Sequence, residues 1–238
     1  KVFLTGATSG LGEALARHYA SQGATLGLFA RREFELARLA TELSPATVTT
    51  YAGDVRDAQS LVHAGADFIA RFGAPDVVVA NAGVSRGTLT DEVADLPAFR
   101  VVVETNFLGM VQTFSPFMAA MRAAKAGVLA GVASVGGFRG LPGAGAYCAS
   151  KSAVITYLES LRVELHGSGV AVVTLCPGFI ATPLTAQNPY PMPFLTDADV
   201  FAARACDAIA AGRSFVVIPW QMAWVARLLR VLPDGLFD

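Results

Sequence analysis

Charge is scarce in this chain. Asp, Glu, Lys and Arg make up only 16% of its 238 residues, and 18 basic against 19 acidic residues leave a net charge of −1. So even a balance argues against a nucleic-acid partner held by a basic surface. Three cysteines (Cys148, Cys176 and Cys206) lie in apolar or helical stretches without metal-ligand spacing. No metal site is expected, and the thiols read as reduced core residues of a cytoplasmic protein. There is no run of about 18 uncharged apolar residues, so no transmembrane helix is expected. Repeats, low-complexity tracts and linkers are missing too, which points to one domain over 1–238. An initiating methionine is also absent. The chain opens on Lys1 inside a strand-like run, and is expected to lack its native N-terminus.

Apolar residues are plentiful, at 53%, enough to fill a large core with strands buried on both faces. Strand-like runs recur at Lys1–Thr5, Thr25–Ala30, Thr47–Ala52, Val77–Ala80, Gly127–Ser134, Val170–Cys176 and Phe215–Ile218. Helical patterns fill the gaps, notably Leu11–Ser21, Glu33–Leu43, Ala58–Phe72, Phe99–Ala123 and Tyr147–Leu165. That alternation predicts an α/β fold: a three-layer, doubly wound parallel sheet of about seven strands with helices on both faces. Right-handed crossovers place the loops after the strand ends along one crevice, where ligands of such sheets bind.

Two constellations carry chemistry. After the first strand, Thr5-Gly6-Ala7-Thr8-Ser9-Gly10-Leu11-Gly12 forms a glycine-rich turn into a helix. Glycine lets the backbone approach a ligand, and the helix N-terminus offers unpaired N–H groups, a setting that fits a pyrophosphate. Further on, Tyr147 precedes Lys151 by about one helical turn, so phenol and ammonium share a helix face. A phenol titrates near pKa ~10, and a close cation draws that value toward the working range. Ser134, thirteen residues upstream of Tyr147, offers a hydroxyl to an oxygen that gains negative charge as a carbonyl is reduced.

With these, four further motifs fall in sequence. Asn81-Ala82-Gly83 follows Val77-Val78-Val79-Ala80, Asn106 sits in Glu104-Thr105-Asn106-Phe107, Ser134 lies in Ala133-Ser134-Val135, and Pro177-Gly178 precedes Thr182. The order and separations resemble those of the short-chain dehydrogenase/reductase family over nearly the whole chain. The resemblance implies Tyr147 as the acid/base and Ser134 as the group that polarises the substrate oxygen. It implies that Lys151 lowers the tyrosine pKa and bonds the nicotinamide ribose. Asn106 would hold a water linking Lys151 to solvent, or would simply be a packed polar residue at a helix irregularity. Cofactor contacts are implied for Gly6, Ser9, Gly10, Leu11, Gly12, Asn81, Ala82, Gly83, Pro177, Gly178, Ile180 and Thr182, besides Tyr147 and Lys151. Asp54 and Val55 resemble the adenine-contacting pair, although Asp54 could equally cap the helix that begins near Ala58.

Cofactor choice is read at the second strand, where Phe29-Ala30-Arg31-Arg32 carries no acid to bond a ribose 2′-hydroxyl. Guanidinium groups pair with a 2′-phosphate instead, which predicts NADP(H) over NAD(H), with Arg31 as the main contact and Arg32 and Ser9 in support. The segment 185–196, rich in proline and aromatic residues (Pro189, Tyr190, Pro191, Met192, Pro193, Phe194), matches the family's substrate lid and suggests a hydrophobic ketone, aldehyde or secondary alcohol. The apolar tail, 219–238, suits packing or a subunit contact, closure of the pocket, or a peripheral membrane contact, in that order. The family implies a homodimer or homotetramer. Two other readings stand beside this one: a non-catalytic dinucleotide-binding redox sensor or scaffold, and an epimerase or dehydratase on the same fold.

Overall fold

The computed structural model describes residues 1–186, 188 and 191–237. Seven strands are β1 (Val2–Thr5), β2 (Leu26–Ala30), β3 (Val48–Ala52), β4 (Val77–Ala80), β5 (Val128–Val132), β6 (Ala171–Pro177) and, after the short strands β7 (Ile180–Ala181) and β8 (Thr196–Asp197), β9 (Phe215–Ile218). They form one parallel sheet in the order β3-β2-β1-β4-β5-β6-β9, while β7 and β8 make a separate two-stranded ribbon. The helices are α1 (Gly10–Ser21), α2 (Glu33–Glu42), α3 (Ala58–Phe72), α4 (Leu96–Val103), α5 (Gly109–Phe114), α6 (Met118–Ala124), α7 (Gly145–Glu164), α8 (Ala198–Ala210), α9 (Gln221–Val231) and α10 (Asp234–Phe237).

Successive strand residues point to opposite faces, and each face has its own core. Val2, Leu4, Leu28 and Ala30 pack with Leu15 of α1, Leu36 of α2 and Phe201 of α8. Phe3, Phe29 and Val78 pack on the other side with Phe68 of α3, Phe114 of α5 and Leu158 of α7. Gly27 belongs to this second layer by what it omits. A Cβ there would meet Phe68 at 2.6 Å and Phe3 at 2.8 Å, so the glycine makes room for the edge-on Phe3–Phe68 pair at 5.6 Å.

The strand order reverses between β1 and β4, and that switch point opens a crevice beyond the strand C-termini. Asn81, just past β4, joins the two strand ends: its Nδ2 donates to Thr5 O at 3.1 Å and Gly6 O at 3.2 Å. Thr5 Oγ1 accepts in return from the Asn81 and Ala82 N–H groups.

One expected helix is not continuous. Phe99–Ala123 divides into the end of α4, a π-helical turn at Glu104–Leu108, α5, a 3-10 turn at Ser115–Phe117, and α6. The π turn lets a fully buried asparagine reach out of the helix, and Pro116, without an N–H, sits where the ladder tightens. Helix α8 and the β7–β8 ribbon have no counterpart in the sequence reading.

Candidate active site

The crevice is a cavity of about 550 Å3 lined by Gly6, Thr8, Ser9, Gly10, Leu11 and Arg31 toward one end and by Ser134, Tyr147 and Lys151 toward the other. That is within the ~300–1,000 Å3 usual for small-molecule sites. Gly6 and Gly10 both have positive φ, +69° and +55°, a backbone shape that glycine adopts without a Cβ penalty. A Cβ on Gly6 would also lie 2.7 Å from Ala82 Cα, so the turn and the Asn81–Gly83 segment press together. The α1 N-terminus therefore faces the cavity with little side chain in the way. The donor set and the glycine cradle fit a dinucleotide phosphate at this end.

Gly12 is not among the residues that line the cavity. A Cβ there would stand 2.0 Å from Gly6 O, so this glycine lets α1 pack against its own entry turn. Arg31 and Arg32 divide their work. Arg32 Nη2 donates to Thr8 O at 2.9 Å and Thr8 Oγ1 at 3.0 Å, fastening the glycine-rich turn. Arg31 lines the cavity, is exposed, and makes no side-chain hydrogen bond to a described residue. Thr8 is a lining residue that the sequence motif contains but the reading did not single out.

Asp54 does not cap α3. Asp57 does, accepting from the Gln59 N–H at 3.0 Å. Asp54 instead holds Arg56 through Nη2 at 2.7 Å, Nε and the backbone N–H. The Arg56 guanidinium keeps the Asp54 carboxyl below its usual range, with Arg31 adding a smaller contribution. Val55 lines the cavity beside it.

At the far end, Ser134 caps a 3-10 turn (Val135–Gly137), its Oγ accepting from the Gly136 N–H at 3.0 Å. A Cβ on Gly136 would lie 3.2 Å from Tyr147 Cε1 and 3.5 Å from Ser134 Oγ. Hydroxyl and ring thus flank one glycine, where a Cβ would press the Tyr147 ring and merely touch the hydroxyl. Lys151, one turn along α7, places Nζ 6.0 Å from the Tyr147 ring centroid and donates to Val132 O at 2.7 Å. It is 4% exposed, and burial brings its pKa down to about 8.

Asn106 is fully buried and its amide is spent on protein. Oδ1 accepts from the Val84 N–H at 2.8 Å, and Nδ2 donates to Val84 O at 2.9 Å and Ser150 Oγ at 3.0 Å. Both Nδ2 hydrogens are thus used while Oδ1 keeps one lone pair, and Asn106 does not line the cavity. Pro177, Gly178, Ile180 and Thr182 all do. Thr182 also reaches the glycine-rich turn, since a Cβ on Gly10 would sit 3.2 Å from Thr182 Cβ. Ribbon β7–β8 closes the base of the loop read as a lid, and Thr185 at its start lines the cavity together with the preceding Pro183 and Leu184. Pro189 and Tyr190 lie outside the described residues.

Among the described residues no cluster of three His, Cys, Asp or Glu side chains could hold a metal. No helix among them is long and apolar enough to cross a membrane.

Residues 1–191 match the sequence profile of the short chain dehydrogenase family. An uncharacterized oxidoreductase of Myxococcus xanthus is 40% identical over 99% of this chain and 93% of its own. Two solved structures superpose closely. A short chain dehydrogenase/reductase from Burkholderia phymatum in complex with NAD has a TM-score of 0.87, 26% identity, and coverage of 96% of this chain and 92% of that one. An alcohol dehydrogenase from Thermococcus sibiricus complexed with 5-hydroxy-NADP has a TM-score of 0.81, 28% identity, and coverage of 91% and 94%.

Proposed function

Because the chain belongs to the short-chain dehydrogenase/reductase family, we propose that it is an NADP(H)-dependent oxidoreductase interconverting an apolar carbonyl compound and its alcohol. The observation that carries this reading is the convergence of Ser134, Tyr147 and Lys151 at one end of a cleft whose other end is a glycine cradle rimmed by Arg31. A bound nicotinamide cofactor would supply the hydride in reduction and accept it in oxidation.

The chain's own residues do the rest. Gly6, Ser9, Gly10 and Leu11 hold the phosphates. Arg31 pairs with the 2′-phosphate, and Arg32 fixes the Thr8 loop beside it. Asp54, its charge muted by Arg56, and Val55 frame the adenine. Asn81, Ala82 and Gly83 form the wall along the cleft, and Pro177, Gly178, Ile180 and Thr182 hold the carboxamide end. Ser134 Oγ donates to the substrate oxygen and orients it. Tyr147 gives its phenolic proton to that oxygen in reduction and takes it back in oxidation. The Lys151 ammonium favours the phenolate that remains after proton transfer, and donates to the cofactor ribose. Asn106 supports the site from behind by fixing Val84. Residues 1–238 act as one catalytic domain, with 185–196 as a lid whose Phe194 and Leu195, with Leu184 just before it, favour an apolar substrate.

The test is NADPH oxidation at 340 nm against a panel of aldehydes, ketones, quinones and steroids, with NADH in parallel. Turnover with NADPH, at least tenfold weaker with NADH, is expected. Tyr147→Phe should lose more than a thousandfold in kcat while binding NADPH within about threefold of wild type. NADPH binding without turnover on any carbonyl would favour the sensor reading; wild-type kcat in the variant would end the catalytic assignment.

A further inference from the structure

The loop that carries Ser134 continues into a residue with no place in the chemistry. Arg139 is largely covered, its side chain 16% exposed, and it reaches across 90 and more positions to the end of the chain. Nη1 donates to Leu229 O at 2.9 Å and to Leu232 O at 2.7 Å. Nη2 pairs with Asp234 at 2.8 Å, and the guanidinium lies 4.2 Å over the Phe237 ring. Carbonyls at a helix C-terminus have no partner within the helix, so one planar cation serves the end of α9 and the start of α10 together. The preceding residue joins in, with Phe138 edge-on to Phe215 of β9 at 6.0 Å.

The other end of α9 leans on the opposite wall of the cleft. A Cβ on Gly178 would lie 2.7 Å from Met222 Cγ and 3.2 Å from Pro219 Cδ, and the Gly178 N–H donates to Ile218 O at 2.8 Å. Helix α9 therefore spans two loops that nothing in sequence connects: Ser134–Gly140, with the hydroxyl, and Pro177–Ile180, at the carboxamide end. Met222 and Ala226 form its buried inner face.

We propose that Arg139 is a positioning residue: by locking the end of α9 it braces the Ser134 loop against the Pro177–Ile180 loop and sets the width of the reactive end of the cleft. The proposal rests on the assignment of that end given above. Arg139 acts through α9, whose last turn its guanidinium holds.

Hydrogen–deuterium exchange by mass spectrometry on the full chain, without substrate, reads the brace independently of activity. In Arg139→Ala, exchange should rise at least fivefold in 134–140, 177–180 and 221–232 together. Residues 2–21, in β1 and α1, should stay as in wild type, which separates a released brace from general destabilisation. In the carbonyl assay the same variant should lose about tenfold in kcat and gain several-fold in carbonyl KM, with NADPH KM within threefold. Arg139→Lys should recover part of the protection, and Asp234→Asn, which spares both carbonyl bonds, less than twofold of either effect. If Arg139→Ala does not fold, a chain ending at Leu232 removes the Asp234 and Phe237 partners and should give an intermediate rise in the same three segments. Exchange that rises in 221–232 alone, with 134–140 and 177–180 as protected as in wild type, would overturn the proposal. A wild-type protein inactive on every carbonyl would sink the assigned chemistry while the exchange data still judged the brace.

Discussion

A lysine sealed from water and bonded to a backbone carbonyl is costly to keep charged, and Lys151 is such a lysine. Its fall from the ordinary 10.5 to about 8 corresponds to roughly 3 kcal/mol spent on holding the cation in the fold, at about 1.4 kcal/mol per tenfold change in proton affinity. The sign follows from proton counts. Between pH 8 and 10.5 the unfolded chain carries the proton and the folded one has begun to release it, so stability rises with pH across that window. Below about 8 both states are charged and the full cost is present. Lys151→Met, similar in length and apolar, should therefore melt higher than wild type at pH 7 and lose that advantage progressively toward pH 10. It should also lose nearly all turnover. Thermal melts of both proteins at pH 7 and 9.5 check this, and a difference in Tm independent of pH would show that burial of the charge is not the cause. The thiol of Cys176 nearby is pushed up to about 12 by its own burial, and it offsets only a small part of what burial costs the lysine.

At the scale of elements, what could be read from sequence was what local pattern dictates. Val77–Ala80 and Phe215–Ile218 are strands to the residue, because short apolar runs bounded by turn residues leave few alternatives. The Tyr147–Lys151 pair and Ser134 were legible for the same reason: one helix and one strand end carry them. The division of Phe99–Ala123 was not legible, since a π turn is made by tertiary demand. Asn106 is held by two hydrogen bonds to Val84 and a third to Ser150, and the helix widens to allow them. Nor could the sequence separate Asp54 from Asp57 as the cap of α3, two acids three residues apart. Asn106→Ala would strand the N–H and C=O of Val84, each worth about 1–3 kcal/mol when left unpaired. A loss of roughly 2–4 kcal/mol in urea unfolding with unchanged m is expected, with lowered kcat because the Gly83–Val84 wall loosens. Retention of wild-type stability would mean that water replaces the amide there. The grip of Arg139 on the tail joins residues 90 or more apart and has no signature in spacing at all.

For the whole molecule, one sheet of order β3-β2-β1-β4-β5-β6-β9 brings every proposed contact to a single edge. Binding there should report on the entire fold. Ligand at a hundred times its dissociation constant adds about 2.7 kcal/mol, which in a domain of this size is a rise of about 5–10 °C in Tm. NADP+ should give that shift at lower concentration than NAD+, and Arg31→Ala should bring the two curves together while leaving the NAD+ response nearly unchanged. Equal weakening of both would move the arginine away from the 2′-phosphate. The most direct measurement follows the transferred atom: NADPH deuterated at the nicotinamide C4 position, incubated with the best carbonyl of the panel, with the alcohol read by mass spectrometry. One deuterium on the carbinol carbon with wild type, and no labelled alcohol with Tyr147→Phe, is the expected result. Alcohol formed without deuterium from either face of the cofactor, or formed as fast by the variant, would contradict the account.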